Sequence, residues 1–177
     1  MRGHKGAIKV HSEIGRGTTF KVLFPVSGEA ASLPTAAGDF DDGWQGGGLI
    51  LLVDDEESIR AVGKRMLLRL GFEVMVAADG REALAQIREH GDWIRGIVLD
   101  LTMPRMDGEE TFRELRRIRT DLPVILSSGY SEHDVVQRFA GKGIAGFVPK
   151  PYTPANLQSV LKQALGKRAP SPGRPPA

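Results

Sequence analysis

The chain has 177 residues, and at ~100–200 residues per domain that length holds one full domain with appendages. It carries 24 Lys+Arg against 22 Asp+Glu, and its most regular stretch, Leu49–Arg168, is balanced at 18 basic and 17 acidic residues, so charge does not argue for a nucleic-acid partner. The lack of cysteine excludes disulfides, thiol catalysis and Cys-based zinc sites; no run nears the ~18 apolar residues of a membrane span and no signal-type apolar region opens the chain, so a soluble, cytoplasmic chain without membrane contact is expected.

Within residues 1–26, Ala7–His11 and Thr19–Phe24 alternate apolar and polar residues around Gly15-Arg16-Gly17, which predicts a two-stranded hairpin. Alone in water such a hairpin is at best marginally stable, because no second layer covers its apolar face. Ser27–Gly48 is rich in Gly, Ala, Ser and Asp and has no apolar period, the pattern of a flexible linker in which Phe40 and Trp44 are solvated.

Leu49–Val53 is an unbroken apolar run, the mark of a buried strand, and it ends in Asp54-Asp55. Ile59, Val62, Met66 and Leu70 then recur at helical spacing, and Gly71 closes that helix. Phe72–Ala77 predicts a second strand and Arg81–His90 a second helix. Gly96–Leu99 is a third buried strand that delivers Asp100 to the loop Leu101–Gly108. A helix over Gly108–Arg119 follows, capped by Asp107, with Phe112, Leu115 and Ile118 on one face. Pro123–Leu126 ends in Ser127-Ser128-Gly129, Ser131–Ala140 is a helix, and Ala145–Val148 ends in Pro149-Lys150-Pro151. Thr153–Leu165 is the last helix, and residues 169–177, with four prolines, are expected to be disordered. Five strands alternating with five helices call for an α/β fold with a parallel sheet covered on both faces.

In such a sheet Asp54, Asp55 and Asp100 converge at the carboxyl edge, where open α/β sheets keep their ligands. At 4 Å and an effective dielectric of about 20, each carboxylate pair repels by ~4 kcal/mol. A hard cation such as Mg²⁺ removes that penalty, and two further strand ends bring a hydroxyl and the Lys150 ammonium to the same edge.

The order Asp-Asp, Asp, Ser, aromatic, Lys-Pro at these spacings resembles the receiver domain of two-component signalling, over about Leu49–Gly166, within a domain bounded at 49–168. The resemblance implies a flavodoxin-like strand order 2-1-3-4-5 and a phosphorylation switch. Asp100 would take a phosphoryl group from the phosphohistidine of a kinase dimerisation domain or a histidine phosphotransfer protein. Asp54, Asp55, Asp100 and the Thr102 main-chain carbonyl would hold Mg²⁺; Lys150 and Ser128, rather than Ser127, would contact phosphoryl oxygens. Phe147 would turn inward as the loop moves, Thr102 and Tyr130 would flank the path of the hydrolytic water, and the Lys150–Pro151 bond would be cis. A flavoprotein is disfavoured because Asp54-Asp55-Glu56-Glu57 repels phosphate where a flavin needs a phosphate cradle. A dehalogenase-type phosphatase needs Asp-x-Asp, whereas Asp100 is followed by Leu101-Thr102. Receivers that work without phosphate usually lose an acidic or lysine position that this chain keeps.

Arg2–Ile8 and Gly15–Phe20 resemble the extreme C-terminus of the ATP-binding domain of sensor histidine kinases, including its last glycine box. No Asn-bearing helix, no Asp-x-Gly-x-Gly loop and no His-Glu phosphoacceptor motif around His4, His11, His90 or His133 accompanies it. The expectation is a hybrid histidine kinase truncated within that domain, the fragment itself being no turnover enzyme.

Overall fold

The computed structural model describes residues 7–23, 44–130, 135 and 137–166. They fall in two compact units, within Met1–Ala36 and Ala37–Ala177. In the first, β1 (Ala7–Glu13) pairs antiparallel with β2 (Gly17–Leu23), with Ile8 opposite Val22 and Val10 opposite Phe20. The period of two puts these four apolar side chains on one side of the ribbon and Lys9, His11 and Lys21 on the other. All of them are exposed.

The second unit contains β3 (Leu49–Val53), α1 (Glu57–Arg69), β4 (Glu73–Ala77), α2 (Gly80–His90), β5 (Ile94–Asp100), α3 (Gly108–Ile118), β6 (Val124–Ser128), β7 (Gly146–Pro149) and α4 (Pro154–Leu165). Its five strands are all parallel in the order β4-β3-β5-β6-β7, which is the 2-1-3-4-5 order of the receiver resemblance. Parallel neighbours need long crossovers, and the helices supply them. One face of the sheet packs Leu51, Val53, Ile97, Leu99 and Leu126 against α2 and α3, together with Val135 and Phe139. The opposite face packs Ile50, Leu52, Val98, Ile125 and Val148 against Leu67 of α1 and Leu157, Leu161 and Leu165 of α4. Of the helix expected over Ser131–Ala140, residues 131–134 and 136 lie outside the described residues, while Val135, Gln137 and Arg138 are helical. Phe40, most of the expected linker and the expected disordered tail also lie outside them.

The structure corrects several expectations. Val62 is exposed, and the buried positions of α1 are Gly63 and Leu67. The reason is a close approach: a Cβ on Gly63 would stand 2.9 Å from Leu52 and 3.3 Å from the Tyr152 ring. Ile118 is exposed in the last turn of α3, and the apolar flank there is covered instead by Arg116. Its guanidinium lies 4.7 Å from the Phe112 ring centre and donates to the carbonyls of Leu122 (2.8 Å) and Gly143 (2.8 Å).

The third strand begins at Ile94, earlier than its apolar run suggests. Leu49 pairs with Ile94 and Ile50 with Gly96, so the register skips Arg95. The Arg95 side chain then donates to the carbonyls of Gly47 (2.6 Å) and Leu165 (3.0 Å). Trp44–Gly48 is therefore not a solvated linker. It is strapped along the end of the sheet, with Gly46 N donating to Leu70 O (2.7 Å), Glu73 N to Gly48 O (3.0 Å), and the Trp44 ring tilted 5.9 Å from Phe72. Trp44→Ala is expected to lower the unfolding free energy by about 1–2 kcal/mol through the lost ring pair and the newly wetted Phe72, measured in urea at an unchanged m-value.

Candidate functional site

Along each strand, alternate residues share a face, so the second buried cluster continues upward as Ile50-Leu52-Asp54, Val98-Asp100, Ile125-Ser127 and Val148-Lys150. Four parallel strands in register thus carry two carboxylates, a hydroxyl and an ammonium to one edge. Asp54 is wholly buried and Asp100 is 2% exposed. Lys150 Nζ lies 2.6 Å from Asp54 Oδ2 and 2.9 Å from Asp100 Oδ2, one cation shared by two buried anions. Asp55 is exposed, and a carboxylate oxygen from each of Asp54, Asp55 and Asp100 falls within 4.8 Å of the others. This is a hard-oxygen set of the kind that suits Mg²⁺.

Backbone bonds hold these groups. Asp54 N donates to Ala77 O (3.1 Å), Glu56 N donates to Asp54 Oδ1 (3.0 Å), and Arg60 Nη1 donates to Asp54 O (2.6 Å). Lys150 N donates to Ser128 O (2.9 Å), and the Lys150–Pro151 bond is cis. Burial holds the Asp100 carboxyl above its ordinary value, and the Asp54 charge adds to the rise, against the lowering pull of Lys150 and the Thr102 N–H. For Lys150 burial is the largest single influence and acts downward, but Asp54 and Asp100 together outweigh it and raise the ammonium's pKa. The Lys150 cation is secure, whereas the phosphoacceptor candidate is electrostatically strained.

The loop after Asp100 is set by residues that the motif alone did not single out. A Cβ on Gly108 would lie 2.2 Å from Asp100 O and 2.6 Å from Leu101 Cα, so only glycine lets the start of α3 press against the end of β5. Asp107 caps α3 as expected, accepting from Glu110 N (2.8 Å). Just ahead of Asp107, Met106 N donates to Pro104 O (2.8 Å) across Arg105 at φ +69°, a γ-turn in the left-handed region. Arg105 Nη2 lies 2.7 Å from Asp79 Oδ2, and Asp79 Oδ1 accepts from Glu82 N (2.9 Å) to cap α2. One carboxylate ties the strained turn to a helix end. That Glu82 N–H, then Arg105, holds the Asp79 carboxyl below its ordinary value despite partial burial. An arginine gives no sequence signal of positive φ, which is why this turn is invisible before the structure.

Ser128 is buried and its Oγ accepts from Tyr130 N (3.0 Å). Ser127, on the Asp100 face, donates instead to the Tyr152 hydroxyl (3.0 Å), a partnership that sequence reasoning missed. Burial pushes the Tyr152 hydroxyl up to about 12, so it stays neutral at physiological pH. Thr102 and Tyr130 line a common groove of about 350 Å³ with Met103, Asp107 and Val135, and the Tyr130 ring is exposed. Phe147 is 6% exposed, in the cluster with Leu126, Val135 and Phe139; its ring is inward, on the face away from the Asp54–Lys150–Asp100 row.

The sign of the Asp100 shift has a consequence for stability. A carboxyl raised in the folded state contributes stability below its unfolded value, and that contribution is lost as pH rises through the folded one. In the absence of divalent cations, Asp100→Asn is expected to raise the thermal midpoint at pH 7. The gain should shrink as pH falls and vanish below about 3.9, where the carboxyl is protonated in both states.

Residues 50–162 match the family described as the response regulator receiver domain. The sensor kinase CckA of Brucella abortus is 36% identical over 170 residues, 92% of this chain and 18% of that protein. The probable transcriptional regulator ycf27 of Porphyridium aerugineum is 39% identical over 119 residues, 66% of this chain and 47% of that protein. The chain thus spans less than half the length of either relative. Among solved structures, chemotaxis protein CheY4 of Vibrio cholerae is 31% identical with a TM-score of 0.63, covering 68% of this chain and 100% of that one. The receiver domain from hybrid histidine kinase CckA is 36% identical with a TM-score of 0.56, covering 67% and 99%. With its sheet order, its acid edge and these matches, the chain belongs to the response regulator receiver family, the phosphoryl-accepting modules of two-component signalling.

Proposed function

We propose that Asp100 is the phosphoacceptor and that its donor is a phosphohistidine on a kinase dimerisation domain or a histidine phosphotransfer protein. The observation that carries this is the Lys150 ammonium shared between two buried carboxylates with a third carboxylate oxygen within 4.8 Å. An Asp100 carboxylate oxygen attacks phosphorus, a P–O bond forms, and the P–N bond breaks with its electron pair returning to the imidazole nitrogen. Lys150 meets negative charge on a phosphoryl oxygen as a point charge on a flexible stem. Ser128 donates its hydroxyl to another phosphoryl oxygen, since its lone pair already receives the Tyr130 N–H. Asp54, Asp55, Asp100 and the Thr102 carbonyl are the ligands we assign to Mg²⁺, which when bound neutralises the charge of two approaching anions. Phe147 is the reporter of the phosphorylated state on the far face of the sheet.

We infer further that β1–β2 is the terminal hairpin of a kinase ATP-binding domain and that the parent is a cytoplasmic-facing hybrid histidine kinase. The match to the Brucella sensor kinase supports this by covering 92% of the chain, far beyond residues 50–162, and so do the exposed apolar pairs Ile8–Val22 and Val10–Phe20. The activities we assign to these 177 residues are phosphoacceptance and self-catalysed dephosphorylation, not kinase turnover.

Incubation with phosphoramidate and Mg²⁺ is expected to add one phosphoryl mass to the intact protein. An adduct that persists in Asp100→Asn, or forms equally well in EDTA, overturns the assignment. Tyr130, two residues past Ser128 and across the groove from Thr102, sets the lifetime of the adduct by obstructing in-line water. Tyr130→Ala is expected to speed decay by roughly two- to tenfold, about 0.4–1.4 kcal/mol in barrier, with little change in the rate of phosphorylation. Equal half-lives leave Tyr130 with a packing role only.

A further inference from the structure

Ser127 is the register partner of Asp100 on the neighbouring strand and shares its face of the sheet. Neighbouring strands lie about 4.7–4.9 Å apart, so a serine hydroxyl at this position has the Asp100 carboxylate as a nearby acceptor. A hydrogen bond to a charged oxygen is roughly twice as strong as a neutral one, so the carboxylate would ordinarily win that proton. It does not. The hydroxyl is wholly buried and donates to Tyr152 Oη at 3.0 Å.

The Tyr152 ring is built into place. It is 8% exposed, it belongs to the cluster with Leu52, Val148 and Leu157, and its edge stands 3.3 Å from where a Cβ on Gly63 would be. The neighbouring hydroxyl, Ser128, is treated in the opposite way: it accepts a backbone N–H and, among the described residues, donates its own proton to none. Two adjacent serines thus have one hydroxyl withdrawn from the site and one left available to it.

We propose that Tyr152 is a positioning residue for phosphoryl acceptance, holding the Ser127 hydroxyl away from Asp100 so that the attacking carboxylate oxygen is not masked. The inference rests on Asp100 being the phosphoacceptor. With the phenol oxygen removed, Ser127 is left as a buried donor without its acceptor, and an unsatisfied buried donor seeks the nearest one. We assign that role to Asp100, its register partner on the same face of the sheet, and a carboxylate lone pair engaged by Ser127 is less able to attack phosphorus and less able to pair with Lys150.

The test is a double-mutant cycle on the whole chain: wild type, Tyr152→Phe, Ser127→Ala and the double variant. Initial rates of adduct formation from phosphoramidate and Mg²⁺ are read by intact mass, beside each variant's thermal midpoint. Tyr152→Phe is expected to slow the reaction roughly three- to tenfold when Ser127 is present and to have no effect in the Ser127→Ala background. Loss of packing alone slows both backgrounds alike, so an equal slowing in both, or no slowing in either, overturns the inference. A wild-type chain that gains no phosphoryl group at Asp100 removes the phosphoacceptor reading and this one with it. A labelled wild type with background-independent ratios removes this one alone.

Discussion

The structure turns on a single ammonium group doing duty for two carboxylates. Lys150 stands within 3 Å of both Asp54 and Asp100, and both acids are buried. A buried pair with excellent geometry can roughly offset its own desolvation, but one cation between two anions leaves the site short of positive charge. The rest of the second unit is a scaffold for sustaining that shortage. Continuous apolar strands and a helical layer on each face hold the acids where they would not stay by preference, with Asp54 N donating to Ala77 O, Asp54 Oδ1 accepting from Glu56 N, and Lys150 fixed by its N–H to Ser128 O. Stability is given up locally in return for a site that accepts added cation, a trade common in functional centres.

The same logic extends into the loop that follows Asp100. A left-handed arginine costs on the order of 1–3 kcal/mol of local strain, and it persists only because its surroundings leave no alternative. Here the constraint comes from three directions: Gly108 against the Asp100 carbonyl, the Asp107 cap on α3, and the Arg105–Asp79 pair that reaches to the start of α2. The acid edge is therefore linked by short, stiff connections to the first turns of two helices on the same face.

How much of this was legible beforehand follows from which interactions leave a trace in side-chain type. Leu49–Val53 and Gly96–Leu99 announced themselves because strands buried on both faces read as unbroken apolar runs. The carboxylates were legible because an acid ending such a run has no packing reason to be there. The strap at Trp44–Gly48 was hidden because its bonds are made by backbone groups of glycines, which composition registers only as flexibility. On α1, Gly63 took a core position that a count of large apolar residues passes over. On α3, Arg116 covered apolar surface with its stem and ring contact, a role hydropathy assigns to Ile118. Ser127 looked like a weaker copy of Ser128, and only the face it shares with Tyr152 separates the two.

The strap also decides where the receiver can be held. Arg95, Leu70 and Glu73 fasten the entering chain at the amino-terminal ends of the strands, while Asp54, Asp55 and Asp100 lie at the carboxyl ends. A five-residue strand separates the two ends by about 17 Å. A fluorophore, affinity tag or surface linkage attached ahead of Trp44 therefore enters on the side of the sheet remote from the chemistry. The receiver could be immobilised through that end with its acid edge facing outward, open to any donor in solution.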